Sequence, residues 1–334
     1  MMTVTPGAPA DDDLLELVRG AFDGRTVTAI TRHPYPYATS SPLEELRVHF
    51  DHGDAPTLIF KDLAWERLLD DARQSKPAFL YNPRRAVEIY PRILGPGGIG
   101  PRCYAAIADA RPARYWLLLE KVPGVELWQL GELAVWESVA RWLGGFHAHF
   151  AGEIAELRTR NPYLLDYEAS WFELWRGRAQ TALAQSDDHR AQELVSRLDR
   201  YDDVVDALDA LSSTLVHGEF YPSNVMVVRS DGDPRVCPVD WEMAGTGPGL
   251  LDLAALAGGF KRRERGRLFN AYRSAMLEVG ADLSPEEEMR ASLERCRLHL
   301  ALQWIGWSAS WKAPAEHAHD WVGEALALAR RLRL

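Results

Sequence analysis

Glu219, Asn224, Asp240 and Glu242 carry four oxygen-donor side chains in two short runs. The runs are His217-Gly218-Glu219-Phe220-Tyr221-Pro222-Ser223-Asn224 and Asp240-Trp241-Glu242. Between them stand two β-type stretches, Val225-Met226-Val227-Val228 and Val236-Cys237-Pro238-Val239, around the turn-forming Ser230-Asp231-Gly232-Asp233. That pattern reads as a hairpin, which returns its two ends to one place and gathers the four groups there. Buried carboxylates are costly unless they are paired or bound to a cation, so this polar mouth suggests a hard-metal site. Mg²⁺ takes oxygen ligands and keeps room for substrate phosphates. A further acid, Asp252, follows in Leu251-Asp252-Leu253-Ala254. Singly, each acid reads as a surface group or helix cap. Together, at these spacings, they read as a site.

The elements that must position these groups fall into two regions. From about Thr26 to Glu120 the chain reads as short strands with one helix among them. Arg47-Val48-His49-Phe50 and Thr57-Leu58-Ile59-Phe60-Lys61 flank the turn Asp51-His52-Gly53-Asp54. A helix is expected from Asn82 as N-cap, with Pro83 in its first turn, to about Leu94, with its last turn distorted by Pro91. Tyr115-Trp116-Leu117-Leu118-Leu119 is a nearly unbroken apolar run, as a strand buried on both faces requires. Beyond Pro123-Gly124 the apolar spacing turns helical. Leu133 to His149 is amphipathic, and further helices are expected at about 167–184, 190–211, 250–279, 285–309 and 319–332. The expected organisation is a flexible tail over residues 1–25, a β-rich lobe over 26–122 and a helical lobe over 123–334.

His217-Gly218-Glu219 with Asn224 five residues on, then Asp240-Trp241-Glu242 and Asp252-Leu253-Ala254, resembles the signature of aminoglycoside phosphotransferases. That group includes choline kinases and shares the protein-kinase-like fold. The resemblance spans residues from about 26 to 310 and is sharpest between 215 and 256. It implies an α+β, bilobal, protein-kinase-like architecture. The implied activity is transfer of the γ-phosphate of ATP (or GTP), with Mg²⁺, to a hydroxyl of a small molecule.

By the same resemblance Lys61 is the strand lysine that contacts the donor phosphates, and Glu88 its carboxylate partner, a role for which Glu66 and Glu120 compete. Glu120 and Val122 offer backbone groups to the base. The segment from Tyr37 to Pro42, with Ser40 and Ser41, stands where protein kinases carry a glycine-rich loop; a plain turn is the alternative. Asn224 and Asp240 hold the metal, with Glu242 beside it. His217 belongs to the catalytic-loop scaffold, and Asp252 anchors that loop through backbone N–H groups. Glu219 accepts the proton of the acceptor hydroxyl.

One residue departs from the family's pattern, in which the catalytic acid is Asp. Glu219 is longer by a methylene, and a misplacement of about 1 Å can cost about 10²-fold in rate. The second reading that follows is a kinase-fold nucleotide-binding protein with weak or no transfer. Trp304, Trp307 and Trp311 fall at i, i+3 and i+7 on one helix face, and Trp171 and Trp175 form an i, i+4 pair. Such a stripe is most often core, yet indole faces also suit stacking on a substrate or contact with an ammonium group. Glu294, Glu316 and Asp320 supply acids nearby.

Composition bounds the rest. The 334 residues carry 38 Lys and Arg against 48 Asp and Glu, a formal charge of −10, which argues against a nucleic-acid partner. No run approaches the ~20 apolar residues that cross a bilayer. Residues 1–13 lack the basic and apolar segments of a signal peptide. The three cysteines are far apart and fit neither a disulfide framework nor a zinc site; a cytoplasmic protein is expected.

Overall fold

The computed structural model describes residues 9–36, 40–53, 55–111, 113–307 and 319–334. The chain divides into two compact units. One comprises the residues up to Gln74 with Tyr81–Pro123, the other Ser75–Leu80 with Gly124–Leu334. The short segment 75–80 thus folds with the second unit although its neighbours in sequence belong to the first.

The first unit is built on an antiparallel sheet of five strands: β1 (Val27–Pro34), β2 (Leu43–Phe50), β3 (Thr57–Asp62), β4 (Cys103–Ala110) and β5 (Ala113–Glu120), in the order β1-β2-β3-β5-β4. Alternation along β3 buries Leu58, Phe60 and Asp62 and leaves Thr57, Ile59 and Lys61 half-exposed on the opposite face. Leu58 and Phe60 join Leu46, Val48, Trp116 and Leu118 in one apolar layer. The expected tail over residues 1–25 is corrected here. Asp11–Ala21 is a helix, and its Leu14 and Val18 are fully buried in that same layer. Three acids in its first turn favour its N-terminus.

Asn82 caps the helix Pro83–Ile89, its side chain accepting from the Arg84 N–H at 3.1 Å. The next turn, Tyr90–Leu94, widens to π geometry at Pro91, which has no N–H to give to the ladder.

In the second unit the helix Leu133–Phe150 packs against Arg262–Glu278. Gly144 makes the close approach possible: a Cβ there would lie 2.3 Å from the Tyr272 carbonyl oxygen. Two helices expected to be continuous are broken. The stretch 190–211 divides into Ala191–Leu198 and Asp202–Asp209, with Asp202 and Asp203 opening a new first turn. The stretch 250–279 divides into Leu250–Leu256 and Arg262–Glu278, and Gly258-Gly259, poor helix formers, lie in the break. The expected hairpin is present as Val225–Val228 paired with Arg235–Pro238. A second small sheet, Leu165–Asp166, Gly245–Pro248 and Ser213–Val216, had no clear alternation in the sequence.

Among the described residues no helix is long and apolar enough to cross a membrane, and Cys103, Cys237 and Cys296 are free thiols.

Candidate active site

The strand Ser213–Val216 delivers His217 into the core, and from there the chain is held almost atom by atom. Gly218 has φ +82°, and a Cβ on it would lie 2.2 Å from the Tyr167 hydroxyl and 2.3 Å from the Met243 carbonyl, so only glycine fits. The Asp252 carboxylate accepts the His217 N–H at 2.7 Å and the Gly218 N–H at 2.9 Å. Its Oδ2 also faces His147 Nε2 at 3.3 Å, and His147 Nδ1 meets the Tyr272 hydroxyl at 2.9 Å. All of these side chains are buried.

His217 staples the loop to the hairpin. Its Nδ1 accepts the Glu219 N–H at 3.3 Å, so its Nε2–H donates to the Val239 carbonyl at 2.8 Å. The Val239 N–H in turn donates to the Asn224 carbonyl at 2.8 Å. The Glu219 carbonyl accepts twice, from the Tyr221 N–H at 2.7 Å and from Asn224 Nδ2 at 3.0 Å. With Nδ2 engaged, Asn224 has its Oδ1 to offer to a cation. Asp240, directly after Val239, adopts φ +67°, the left-handed region that non-glycine residues occupy at a cost of about 1–3 kcal/mol. Its strained backbone closes the hairpin beside the loop.

A hard divalent cation fits this donor set: the Asp240 carboxylate and Asn224 Oδ1, completed by nucleotide oxygens. Among the described residues no three His, Cys, Asp or Glu side chains gather as a self-sufficient metal cage. One cation is built in. The Lys76 ammonium, nine-tenths buried, bonds Glu242. Burial would lower its pKa, but the charges of Glu242, Glu219 and Asp240 outweigh that effect and raise it above the usual lysine value. Glu242 is thus occupied by Lys76.

Beside the loop lies a cavity of about 420 Å³. Tyr221, Trp304, Trp321, Trp136 and Phe260 form much of its wall. The Trp304 indole N–H donates to the Tyr221 hydroxyl at 2.9 Å, and its ring stacks on Trp321 with centroids 5.4 Å apart at 6°. Burial, together with the Glu219 charge, pushes the Tyr221 phenol up and keeps it protonated. The polar corner consists of Arg297, Glu324 and His319. Glu324 accepts from Arg297 at 2.6 Å and faces His319 Nε2 at 2.7 Å.

The tryptophan stripe therefore divides. Trp304 faces the cavity, whereas Trp307 stacks on fully buried Trp175 at 5.8 Å and 3° and is a packing residue. Trp311 and Glu316 lie outside the described residues. Of the other acids, Glu294 pairs with Arg297, and Asp320 caps the helix Trp321–Arg331 and pairs with Arg190, so neither stands ready for a cationic acceptor.

The residues expected from the sequence to serve a nucleotide belong to the first unit. Lys61 lies on β3 opposite Leu43 and Leu117. Glu88 is buried in the helix Pro83–Ile89, its carboxylate engaged by Arg84 at 3.4 Å and Arg92 at 3.2 Å. The Ser40 carbonyl accepts the Leu69 N–H at 3.0 Å and Ser41 is buried; Tyr37 to Thr39 lie outside the described residues. Glu120 ends β5, where its carboxylate accepts the Arg102 N–H at 3.0 Å, and Val122 follows two residues on.

Three contributors escaped the sequence reading. His147 sits on the apolar face of an amphipathic helix, where its ring adds nothing to the periodic pattern. Lys76 stands in a short connection with no motif around it. Trp321 opens a separate helix and does not share the stripe's spacing, although its ring stacks on Trp304. Only His147 carried a usable signal, a polar ring among Val139, Leu143 and Phe146.

Comparison with known proteins identifies the family and the fold. Residues 43–289, well over half of the chain, match the model of the phosphotransferase enzyme family (APH). Viomycin phosphotransferase from Streptomyces vinaceus is 33% identical over 161 residues, covering 46% of this chain and 53% of that protein, about half its length. Choline kinase from Cryptosporidium parvum has a similar fold, with TM-score 0.61 and 16% identity over 97% of this chain and 94% of its own. Macrolide 2'-phosphotransferase from Brachybacterium faecium gives TM-score 0.58 and 18% identity over 95% and 97%. The fold is the α+β fold of kinase-like enzymes, and the chain belongs to the phosphotransferase enzyme family.

Proposed function

We propose that the chain transfers the γ-phosphoryl group of ATP (or GTP) to a hydroxyl of a small molecule. The observation that carries this reading is the loop from His217 to Asn224, which presents Glu219 beside Asn224 and Asp240 and runs directly into Tyr221 on the cavity wall. In the reaction the bond between the γ-phosphorus and the β,γ-bridging oxygen breaks, and a bond from phosphorus to the acceptor oxygen forms. The hydroxyl proton passes to Glu219, and the products are the nucleoside diphosphate and a phosphate monoester. Asn224 and Asp240 hold Mg²⁺, which neutralises phosphate charge when bound. Lys61 serves the donor phosphates, while Glu88, expected as its partner, is engaged by Arg84 and Arg92; Ser40 and Ser41 border the phosphates, and the backbone at Glu120 and Val122 serves the base.

The acceptor is a small molecule rather than a nucleic acid, in keeping with the −10 charge. The indole walls of the cavity suit an acceptor with an apolar or ring-bearing body. Viomycin and macrolide phosphotransferases among the relatives support the same class. A nucleotide supply places the enzyme in the cytoplasm.

The second reading, a nucleotide binder with little transfer, rests on Glu219 standing where the family has Asp. Incubation of a panel of hydroxylated antibiotics and metabolites with Mg-ATP, read by mass spectrometry, separates the two. A phosphate added to an acceptor establishes the transferase. Nucleotide binding with no product across the panel favours the binder, and no nucleotide binding overturns both.

A further inference from the structure

Most of the polar side-chain groups in the cavity wall are engaged with one another. The Trp136 indole N–H donates to the Leu130 carbonyl at 2.8 Å. Arg297 holds Glu294 at 3.0 Å and Glu324 at 2.6 Å, and the second Glu324 oxygen faces His319 Nε2 at 2.7 Å. Arg297 Nε has no partner among the described residues but is enclosed in protein, out of a ligand's reach. Trp321 stands on a helix of its own, Trp321–Arg331.

The Tyr221 O–H is different, because it stands on the loop that carries Glu219. Its oxygen accepts the Trp304 N–H at 2.9 Å, and among the described residues its own proton has no partner. A phenol keeps that proton at neutral pH. Both ends of the residue are held. The Tyr221 N–H donates to the Glu219 carbonyl at 2.7 Å, and the Tyr221 carbonyl accepts the Asn224 N–H at 2.8 Å. The ring centroid lies 5.8 Å from that of Trp304, which is itself stacked on Trp321. The Glu219 charge is felt at the phenol, so the two side chains share one electrostatic environment. A hydroxyl held this firmly on a cavity wall, with its donor unmade, favours a ligand that brings an oxygen to it.

Glu219 and Tyr221 are two residues apart and opposite in kind. One accepts a proton from the reacting hydroxyl; the other has a proton to offer and an oxygen already engaged. The pair is therefore complementary to two neighbouring oxygens, one a hydroxyl and the other a hydrogen-bond acceptor. We infer that Tyr221 determines specificity: its O–H donates to the oxygen beside the hydroxyl that receives the phosphoryl group. The site then selects ring-bearing 1,2-diols over ring-bearing alcohols with a lone hydroxyl. The inference rests on the transferase reading and on the cavity as its acceptor site.

The probes are 1-phenylethane-1,2-diol and 2-phenylethanol, which share a ring and a primary hydroxyl and differ in one neighbouring oxygen. Their dissociation constants are measured by saturation-transfer NMR with Mg-ADP present. The parent is expected to bind the diol about 3–10-fold more tightly, the size of one neutral hydrogen bond. Tyr221→Phe keeps the ring and is expected to bind the two probes equally. That variant leaves the Trp304 N–H without its acceptor, so Tyr221→Phe with Trp304→Phe removes both partners and is expected to show the same equality. The ratio of the two affinities is a readout that loosened packing alone does not move. Equal binding by the parent, no binding of either probe, or a preference retained in Tyr221→Phe overturns the inference. Phosphate transfer from Mg-ATP to the acceptor panel is followed separately. Transfer with no such preference overturns the inference alone. A preference with no transfer to any acceptor overturns the transferase reading and leaves Tyr221 as a ligand-selecting residue.

Discussion

Asp252 and His217 are joined through the backbone: the carboxylate of one accepts the amide N–H of the other at 2.7 Å, while its second oxygen takes the Gly218 N–H at 2.9 Å. One side chain thus fixes two consecutive peptides immediately before Glu219. Its own position is set by His147, which is oriented by Tyr272 from the helix that Gly144 lets approach. A chain of contacts therefore runs from helix packing to the placement of Glu219, the proposed proton acceptor.

Asp252→Asn tests that chain. The amide can accept one N–H but turns its own donors toward the other, leaving a buried N–H unpaired. We expect a loss of about 1–3 kcal/mol in stability. A fall in kcat larger than any change in nucleotide affinity should accompany it. Thermal melts and steady-state kinetics check both; an unchanged melt and unchanged kcat would remove Asp252 from this role.

Gly218 offers a cleaner contrast. Gly218→Ala must place a Cβ against Tyr167 and Met243 at positive φ, whereas Gly177, on an open helix surface, has nothing within 4 Å of its would-be Cβ. Gly218→Ala should lower the melting temperature and abolish transfer. Gly177→Ala should be neutral or stabilising by about 0.5–1 kcal/mol. Equal melts for the two variants would show that the backbone at Gly218 is not constrained.

The hairpin between Asn224 and Asp240 was legible because two β-type runs flank a turn-forming stretch, and the structure pairs Val225–Val228 with Arg235–Pro238 as that pattern requires. Asn82 and Pro91 were legible for the same kind of reason, since a cap and a missing N–H act locally. Residues 11–21 were misread because three leading acids look like a solvated tail, although they begin a helix whose Leu14 and Val18 are buried only by tertiary packing. Lys76 was invisible because its partner Glu242 is far away in the chain. Trp304 and Trp307 share a stripe on a helical wheel, yet their neighbours differ, and a wheel says nothing of neighbours.

That division of the stripe is itself testable. Trp304→Leu removes a cavity wall and the bond to Tyr221, and should raise the acceptor KM with a small change in the melt. Trp307→Leu removes the stack on Trp175 and should lower stability by about 1–3 kcal/mol with acceptor KM nearly unchanged. Swapped outcomes would exchange the roles of the two residues.

His299 predicts an acid-labile core. Fully buried beside Phe172 and Tyr201, its imidazole is pushed down to about 3 by burial. In the unfolded chain it takes a proton near pH ~6.5. Between those values the unfolded state binds more protons, so stability is present above the window and lost as pH falls through it, by up to about 1.4 kcal/mol per pH unit. His299→Gln cannot titrate, and its melting temperature should fall less than the parent's between about pH 7 and pH 4.5. Parallel curves would show that His299 does not set this dependence.

Glu219 decides between enzyme and binder. Its backbone is held on both sides, the N–H by His217 and the carbonyl by Tyr221 and Asn224, so a substitution there changes the reach of the side chain and little else. Glu219→Gln keeps the length and removes the proton acceptor. We expect kcat to fall by about 10²–10⁴-fold, the range for a positioned base, with nucleotide affinity within a few-fold. Glu219→Asp withdraws the carboxylate by a methylene. Where the acceptor is seated for Glu, that retreat should also slow transfer, because a displacement of about 1 Å costs about 10²-fold. Single-turnover transfer with an identified acceptor measures all three forms. A Glu219→Asp variant faster than the parent would mean that the parent's acid is misplaced, which favours the binder. A Glu219→Gln variant as fast as the parent would leave phosphoryl transfer to positioning and metal alone.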